Sequence, residues 1–79
     1  MISRRAAEFI VKGSAGVYSD ETSRIRITPS DVGPKVVADF QGSLVSGILL
    51  DAWVDELGDL SMIFPETSVS IIIEREAFA

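Results

Sequence analysis

The chain contains no histidine, no cysteine and no asparagine. Without histidine there is no imidazole acid–base catalysis and no Ser-His-Asp arrangement. Without cysteine there are no disulfides, no thiolate nucleophile and no Cys/His zinc site. Without asparagine there is no acceptor for N-linked glycosylation. Long apolar runs are missing as well. Nothing approaches the ~18 residues of a transmembrane helix, and residues 1–11 (MISRRAAEFIV) have two arginines but no apolar stretch of signal-peptide length. The expectation is a cytoplasmic protein that does not enter a membrane.

What is present suits a small globular domain. The 79 residues are 47% hydrophobic, enough to fold but near the lower size limit for a self-sufficient core. No disulfide or metal supplements that core, so a homodimer or a partner-bound state would help it. Monomer and homodimer both stay open.

Charge is unevenly placed along the chain. Residues 1–35 carry Arg4, Arg5, Lys12, Arg24, Arg26 and Lys35 against Glu8, Asp20, Glu21 and Asp31, a balance of +2. From Val36 onward only Arg75 opposes Asp39, Asp51, Asp55, Glu56, Asp59, Glu66, Glu74 and Glu76, a balance of −7. The total of −5 disfavours direct nucleic-acid binding, which needs a basic surface. An acidic half suits a basic partner, or simply solubility.

Residues 50–60 (LDAWVDELGDL) read as a short amphipathic acidic helix. At 100° per residue, Leu50, Trp53, Val54, Leu57 and Leu60 fall in one arc of about 120°, while Asp51, Asp55 and Asp59 recur at i, i+4 beside Glu56. Asp51 is a candidate N-cap and Gly58 a candidate stop. Extended backward, the wheel puts Leu44 and Ile48 on the acidic arc, so residues 44–49 read instead as a strand.

The remaining segments alternate as strands do. Residues 8–18 (EFIVKGSAGVY) place Phe9, Val11, Ala15 and Val17 on one face, ahead of a polar turn at residues 19–23. Residues 24–28 turn Ile25 and Ile27 inward and leave Arg24 and Arg26 in solvent, completing a first hairpin. A Pro/Gly loop over residues 28–35 leads to a strand at residues 35–41, and Gly42-Ser43 suits a type II′ turn. Residues 61–64 form a further short strand, residues 65–68 (PETS) a turn, and residues 69–76 the strongest strand. Its SIIIERE run would aggregate as an open edge, and Glu74, Arg75 and Glu76 read as charged gatekeepers. Residues 1–7 give no more than a helical turn or a frayed end.

The expected fold is α+β: an antiparallel sheet of about four to six strands with the acidic helix packed on one face, in one domain spanning residues 1–79. Its expected core is Phe9, Val11, Val17, Ile25, Ile27, Val36, Phe40, Ile48, Trp53, Leu57, Ile71 and Ile73, with Trp53 an anchor of the packing.

Motifs for chemistry fail on spacing. Residues 55–66 put acids at the first, fifth and twelfth places of an EF-hand loop, but Leu57 and Leu60 occupy places that need an oxygen ligand and a glycine. A Mg²⁺ site on Asp51, Asp55 and Asp59 would need oxygens from another element. Neither GxSxG nor a phosphate-cradling loop is present. No catalytic, cofactor-binding or metal-binding residues are assigned, and the chain is read as non-enzymatic.

VVADFQG followed by SGILLDAWVDELG, residues 36–58, is similar to the strand–loop–helix core of STAS-like regulatory domains, which bind partner proteins. The similarity covers under a third of the chain and lacks the preceding helix of that pattern. The order strand–turn–strand–acidic helix also resembles small bacterial immunity-type proteins. Small phage inhibitors, anti-CRISPR proteins among them, share the size, the acidity and the lack of a catalytic motif. The leading expectation is therefore an inhibitor or immunity-type protein. Asp51, Asp55, Glu56 and Asp59 would bind a basic, nucleic-acid-binding surface of an effector protein through charge-assisted hydrogen bonds. The alternative is a STAS-like or subunit-like regulatory domain that binds through apolar surface or a strand edge.

Overall fold

The computed structural model describes residues 1–66 and 69–79. One helix and two antiparallel sheets share a core, an α+β fold of the expected class. The elements are α1 (Arg4–Lys12), β1 (Gly16–Ser19), β2 (Ser23–Thr28), β3 (Lys35–Phe40), β4 (Ser43–Ile48), β5 (Asp51–Val54), β6 (Leu60–Phe64) and β7 (Val69–Ile73), then a 3-10 turn at Arg75–Ala77. Strands β1 to β4 form the larger sheet in chain order, and β5 to β7 the smaller one. No helix among the described residues is long and apolar enough to cross a membrane.

The helix lies at the opposite end of the chain from the expected one. Ser3 caps it, its side chain accepting a hydrogen bond from Arg5 N, and Gly13 ends it at φ 69° with its N–H on Phe9 O. Lys12 sits in its last turn, where a cation complements the helix dipole. Ala6, Ala7 and Ile10 form its buried face. Residues 8–12 therefore belong to a helix, and of the expected first strand only residues 16–18 are strand, β1 running one residue further to Ser19. The alternation of Phe9 and Val11 misled because two small alanines carry most of the helix's apolar face.

Residues 50–60 are not a helix. They form β5, a turn and the first residue of β6, with Ala52 opposite Met62 and Val54 opposite Leu60. Asp55 decides the matter locally: its Oδ1 accepts from Leu57 N (2.9 Å) and Asp59 N (3.1 Å), which fastens a turn in place of helical bonds. Asp55 N donates to Asp59 O at 3.0 Å, and Gly58 takes φ 90°. The apolar spacing that fits a helical arc serves here as strand, turn tip and strand again.

Elsewhere the hairpins run close to expectation. Asp20 Oδ1 accepts from Thr22 N and Ser23 N, both at 2.8 Å, and closes the β1–β2 turn. The β3–β4 turn is Gln41-Gly42 and not Gly42-Ser43, because Phe40 pairs with Ser43. Both turn residues have positive φ, 52° and 94°, as in a type I′ turn. Of the expected turn at residues 65–68, Pro65 and Glu66 are a turn and the rest lies outside the described residues.

The two sheets and α1 enclose one cluster containing Ile10, Ile25, Val36, Phe40, Leu60, Met62 and Phe64. Helix α1 touches β1 and β2 of the larger sheet and β5 of the smaller. Gly47 marks a close approach of the sheets, since a Cβ there would sit 3.1 Å from Phe64 Cδ1. Of the expected core, Ile25, Ile27, Val36 and Phe40 are buried, and Phe9, Ile71 and Ile73 pack against the cluster. Ile48 is half-buried, whereas Val11, Val17, Trp53 and Leu57 are exposed. Trp53 is thus no core anchor. It lies on the outer face of a small sheet.

Candidate partner-binding surfaces

The four expected partner-binding residues occupy a strand start and a turn, not a helix face. Asp51 opens β5, exposed, with its Oδ1 on Ala52 N at 2.9 Å. Asp55, Glu56 and Asp59 share the β5–β6 turn, roughly 13 Å from Asp51 at ~3.3 Å per strand residue. Asp55 holds the turn together, and Asp59 Oδ1 accepts from Arg75 N at 2.7 Å. Of the turn's three acids, Glu56 is exposed and Asp55 and Asp59 are half-buried. The Asp59–Arg75 bond also ties this turn to the 3-10 turn at Arg75–Ala77, where Glu74 and Glu76 flank Arg75 in sequence. Arg4 tempers this end, its Nη1 donating to Gly58 O at 2.7 Å while its guanidinium lies 4.4 Å from the Phe78 ring centre.

Strand register places the side chains of each sheet's outer face. On the smaller sheet, Trp53, Ser61 and Ile72 lie in one cross-strand row, and Asp51, Ile63 and Ser70 in the next. Trp53 is 39% and Ile72 57% exposed, while Ser61 between them is buried. No lysine or arginine occurs in β5, β6 or β7, whereas Asp51, Glu56, Glu66 and Glu74 lie in or beside them. This outer face is apolar and acidic.

The outer face of the larger sheet has the opposite character. Val17, Arg26, Val37 and Ser46 form one row, and Ser19, Arg24, Asp39 and Leu44 the next. Val17, Val37 and Leu44 are 67%, 53% and 79% exposed. They line an open groove of about 470 Å³ together with Arg24, Arg26 and Asp39. Lys35 follows along β3 on the same face. Among the described residues the one ion pair is Arg75–Glu76 at 3.4 Å, so Arg24, Arg26 and Lys35 are unpaired cations. Asp39, opposite Arg24, accepts from Gly42 N instead, at 2.7 Å.

At the β1–β2 turn the Tyr18 hydroxyl donates to Asp20 Oδ2 at 2.5 Å. The bond holds the Asp20 carboxyl below its ordinary range, helped by Thr22 and Ser23, and pushes the Tyr18 phenol up. No cluster of three or more potential metal ligands occurs among the described residues.

The cationic face was legible from alternation, which put Arg24 and Arg26 in solvent. The Trp53–Ile72 face was missed because Trp53 was assigned to the core. Comparison with protein-family models, curated proteins and solved structures finds no match. Residues 36–58, where a STAS-like pattern implies strand–loop–helix, instead span β3, β4, β5 and a turn, with no helix.

Proposed function

We propose that this chain is a non-enzymatic protein-binding module. Its contact surface is the outer face of the smaller sheet with the acidic β5–β6 turn beside it. The observation that carries this reading is Trp53, exposed on a short strand with Ile72 on its row and Asp51 and Glu56 nearby. An aromatic anchor with a charged rim is the usual make-up of an interface centre. The acids select a partner with a basic surface, such as the nucleic-acid channel of an effector, and the role is that of an inhibitor of the immunity or anti-CRISPR type. The module carries no nucleic acid itself.

The acids contribute unequally in this reading. Asp51 and Glu56 meet the partner directly, whereas Asp55 and Asp59 hold the turn that presents Glu56. Affinity capture from cells that carry the gene tests it. Wild-type protein retains a partner at low salt, and Trp53→Thr or the pair Asp51→Lys, Glu56→Lys loses it while staying folded by circular dichroism. Equal capture by all three proteins overturns the reading.

A second reading, a regulatory interaction domain working through apolar surface, is supported by exposed Val17, Val37 and Leu44. Its binding would survive high salt, whereas charge steering weakens as ionic strength rises.

A further inference from the structure

The two outer faces are complementary in charge and alike in apolar content. The larger sheet offers Arg24, Arg26 and Lys35 against Asp39, with Val17, Val37 and Leu44 exposed between them. The smaller sheet offers Asp51 and, continuing the alternation of β7, Glu74, with Trp53, Ile63 and Ile72 as its apolar rows. One surface has cations without carboxylate partners, and the other has carboxylates without a single cation on its strands.

Building on the reading of the smaller sheet's outer face as a protein contact, we infer that the same face also receives a second copy of this chain, in competition with that partner. The cationic outer face of the larger sheet of one copy receives the acidic outer face of the smaller sheet of the next. Two twisted sheets pack face to face at about 10 Å, which seats Trp53 over the Val17–Val37 row and lets Asp51 and Glu74 reach the guanidinium groups. The contact joins different surfaces, so each copy has one of each to offer, and association continues or closes into a ring.

The face is small. Three strands about 4.8 Å apart, of four, five and five residues, give at most roughly 14 by 17 Å, well below the ~800 Å² per partner of a standard interface. Association is therefore weak, concentration-dependent and sensitive to salt.

Sedimentation equilibrium of the full chain, from about 10 μM to about 1 mM, tests the inference. Wild-type mass rises above the monomer with concentration, and the emission of Trp53, the single tryptophan, shifts to the blue in step. Arg24→Glu with Arg26→Glu, or Asp51→Lys with Glu74→Lys, lowers the association constant about tenfold or more. Mixing these two double variants restores association, because the unreversed face of each finds its native complement on the other and the two reversed faces are opposite in charge as well. That rescue also shows both variants to be folded.

A wild-type protein that stays monomeric throughout overturns the inference, as does self-association indifferent to both reversals or failure of the mixed variants to associate. The proposed function fails separately. Trp53-dependent capture of a basic partner by a strictly monomeric chain would sink self-association alone, whereas capture indifferent to Trp53 would sink the functional reading.

Discussion

Ile2 and Phe78 lie side by side as a parallel bridge, both almost fully buried. Ile2 N donates to Ala77 O at 2.7 Å and Ala79 N to Ile2 O at 2.8 Å. Arg4 stands against the Phe78 ring and reaches across to Gly58 O. One side chain thus joins α1, the β5–β6 turn and the last residues of the chain.

Removing either part of this junction should be costly. Phe78→Ala deletes a buried aromatic side chain and is expected to cost about 3–5 kcal/mol, a large part of the roughly 5–15 kcal/mol typical of a domain. Arg4→Met keeps the stem but loses the bond to Gly58 O, a charge-assisted bond of about 1.5–3 kcal/mol. Urea denaturation followed by circular dichroism measures both. A Phe78→Ala midpoint equal to wild type would show the bridge to be ornamental.

The β5–β6 turn depends on one carboxylate and one glycine. Asp55→Ala leaves Leu57 N and Asp59 N without their shared acceptor, and a loss of about 1–3 kcal/mol is expected. Gly58→Ala forces a side chain to φ 90° and brings its Cβ within 3.1 Å of Arg4 Nη2, costing about 1–3 kcal/mol. Glu56→Ala, at the exposed position of the same turn, should stay within about 0.5 kcal/mol of wild type. Thermal unfolding of the three variants separates the acid that builds the turn from the one that faces solvent.

Trp53 and Phe64 contrast the outer and inner sides of the smaller sheet. Phe64 is 1% exposed and Trp53 39%. Phe64→Ala is expected to cost about 3–5 kcal/mol, and Trp53→Thr, which keeps a strand-forming residue, about 1–2 kcal/mol. Folded, monodisperse Trp53→Thr beside a largely unfolded Phe64→Ala is the expected pair. The reverse order of stabilities would return Trp53 to the core.

Period-two segments were readable because each turns one face to the core: Ile25 and Ile27 in β2 and Val36 and Phe40 in β3 are buried, and Ile71 and Ile73 in β7 pack against the cluster. The helix was not, since Ala6 and Ala7 carry little hydrophobic signal and Phe9 and Val11 imitate a strand. Its capping residues, Ser3 and Gly13, were the available clue. Residues 50–60 misled for the opposite reason. Leu50, Trp53, Val54 and Leu57 fit a helical arc, yet all four are exposed, so the periodicity did not mark a core. The four acids were readable as a charge bias, but their division into turn-forming Asp55 and Asp59 and outward Asp51 and Glu56 depends on backbone bonds. The two opposed sheet faces depend on cross-strand register, which no single segment encodes.

The Tyr18–Asp20 hydrogen bond should make stability depend on pH at both ends of the scale. Folding lowers the Asp20 carboxyl below its ordinary 3.8, so its contribution is present above that value and lost as pH falls through the lower folded value. Folding raises the Tyr18 phenol above its ordinary 10.0, so its contribution is present below 10.0 and lost as pH rises through the higher folded value. Between these windows neither group changes charge, and the bond contributes a constant amount. Tyr18→Phe should flatten the alkaline loss entirely and part of the acid loss, because Thr22 and Ser23 still bond the Asp20 carboxylate. Asp20→Asn should remove the acid dependence from this site and return the phenol toward 10.0. Tyr18 is the single tyrosine, so tyrosinate absorbance follows its titration directly. A wild-type phenol titrating at or below 10.0, unmoved by Asp20→Asn, would show that the two side chains do not hold this bond in solution.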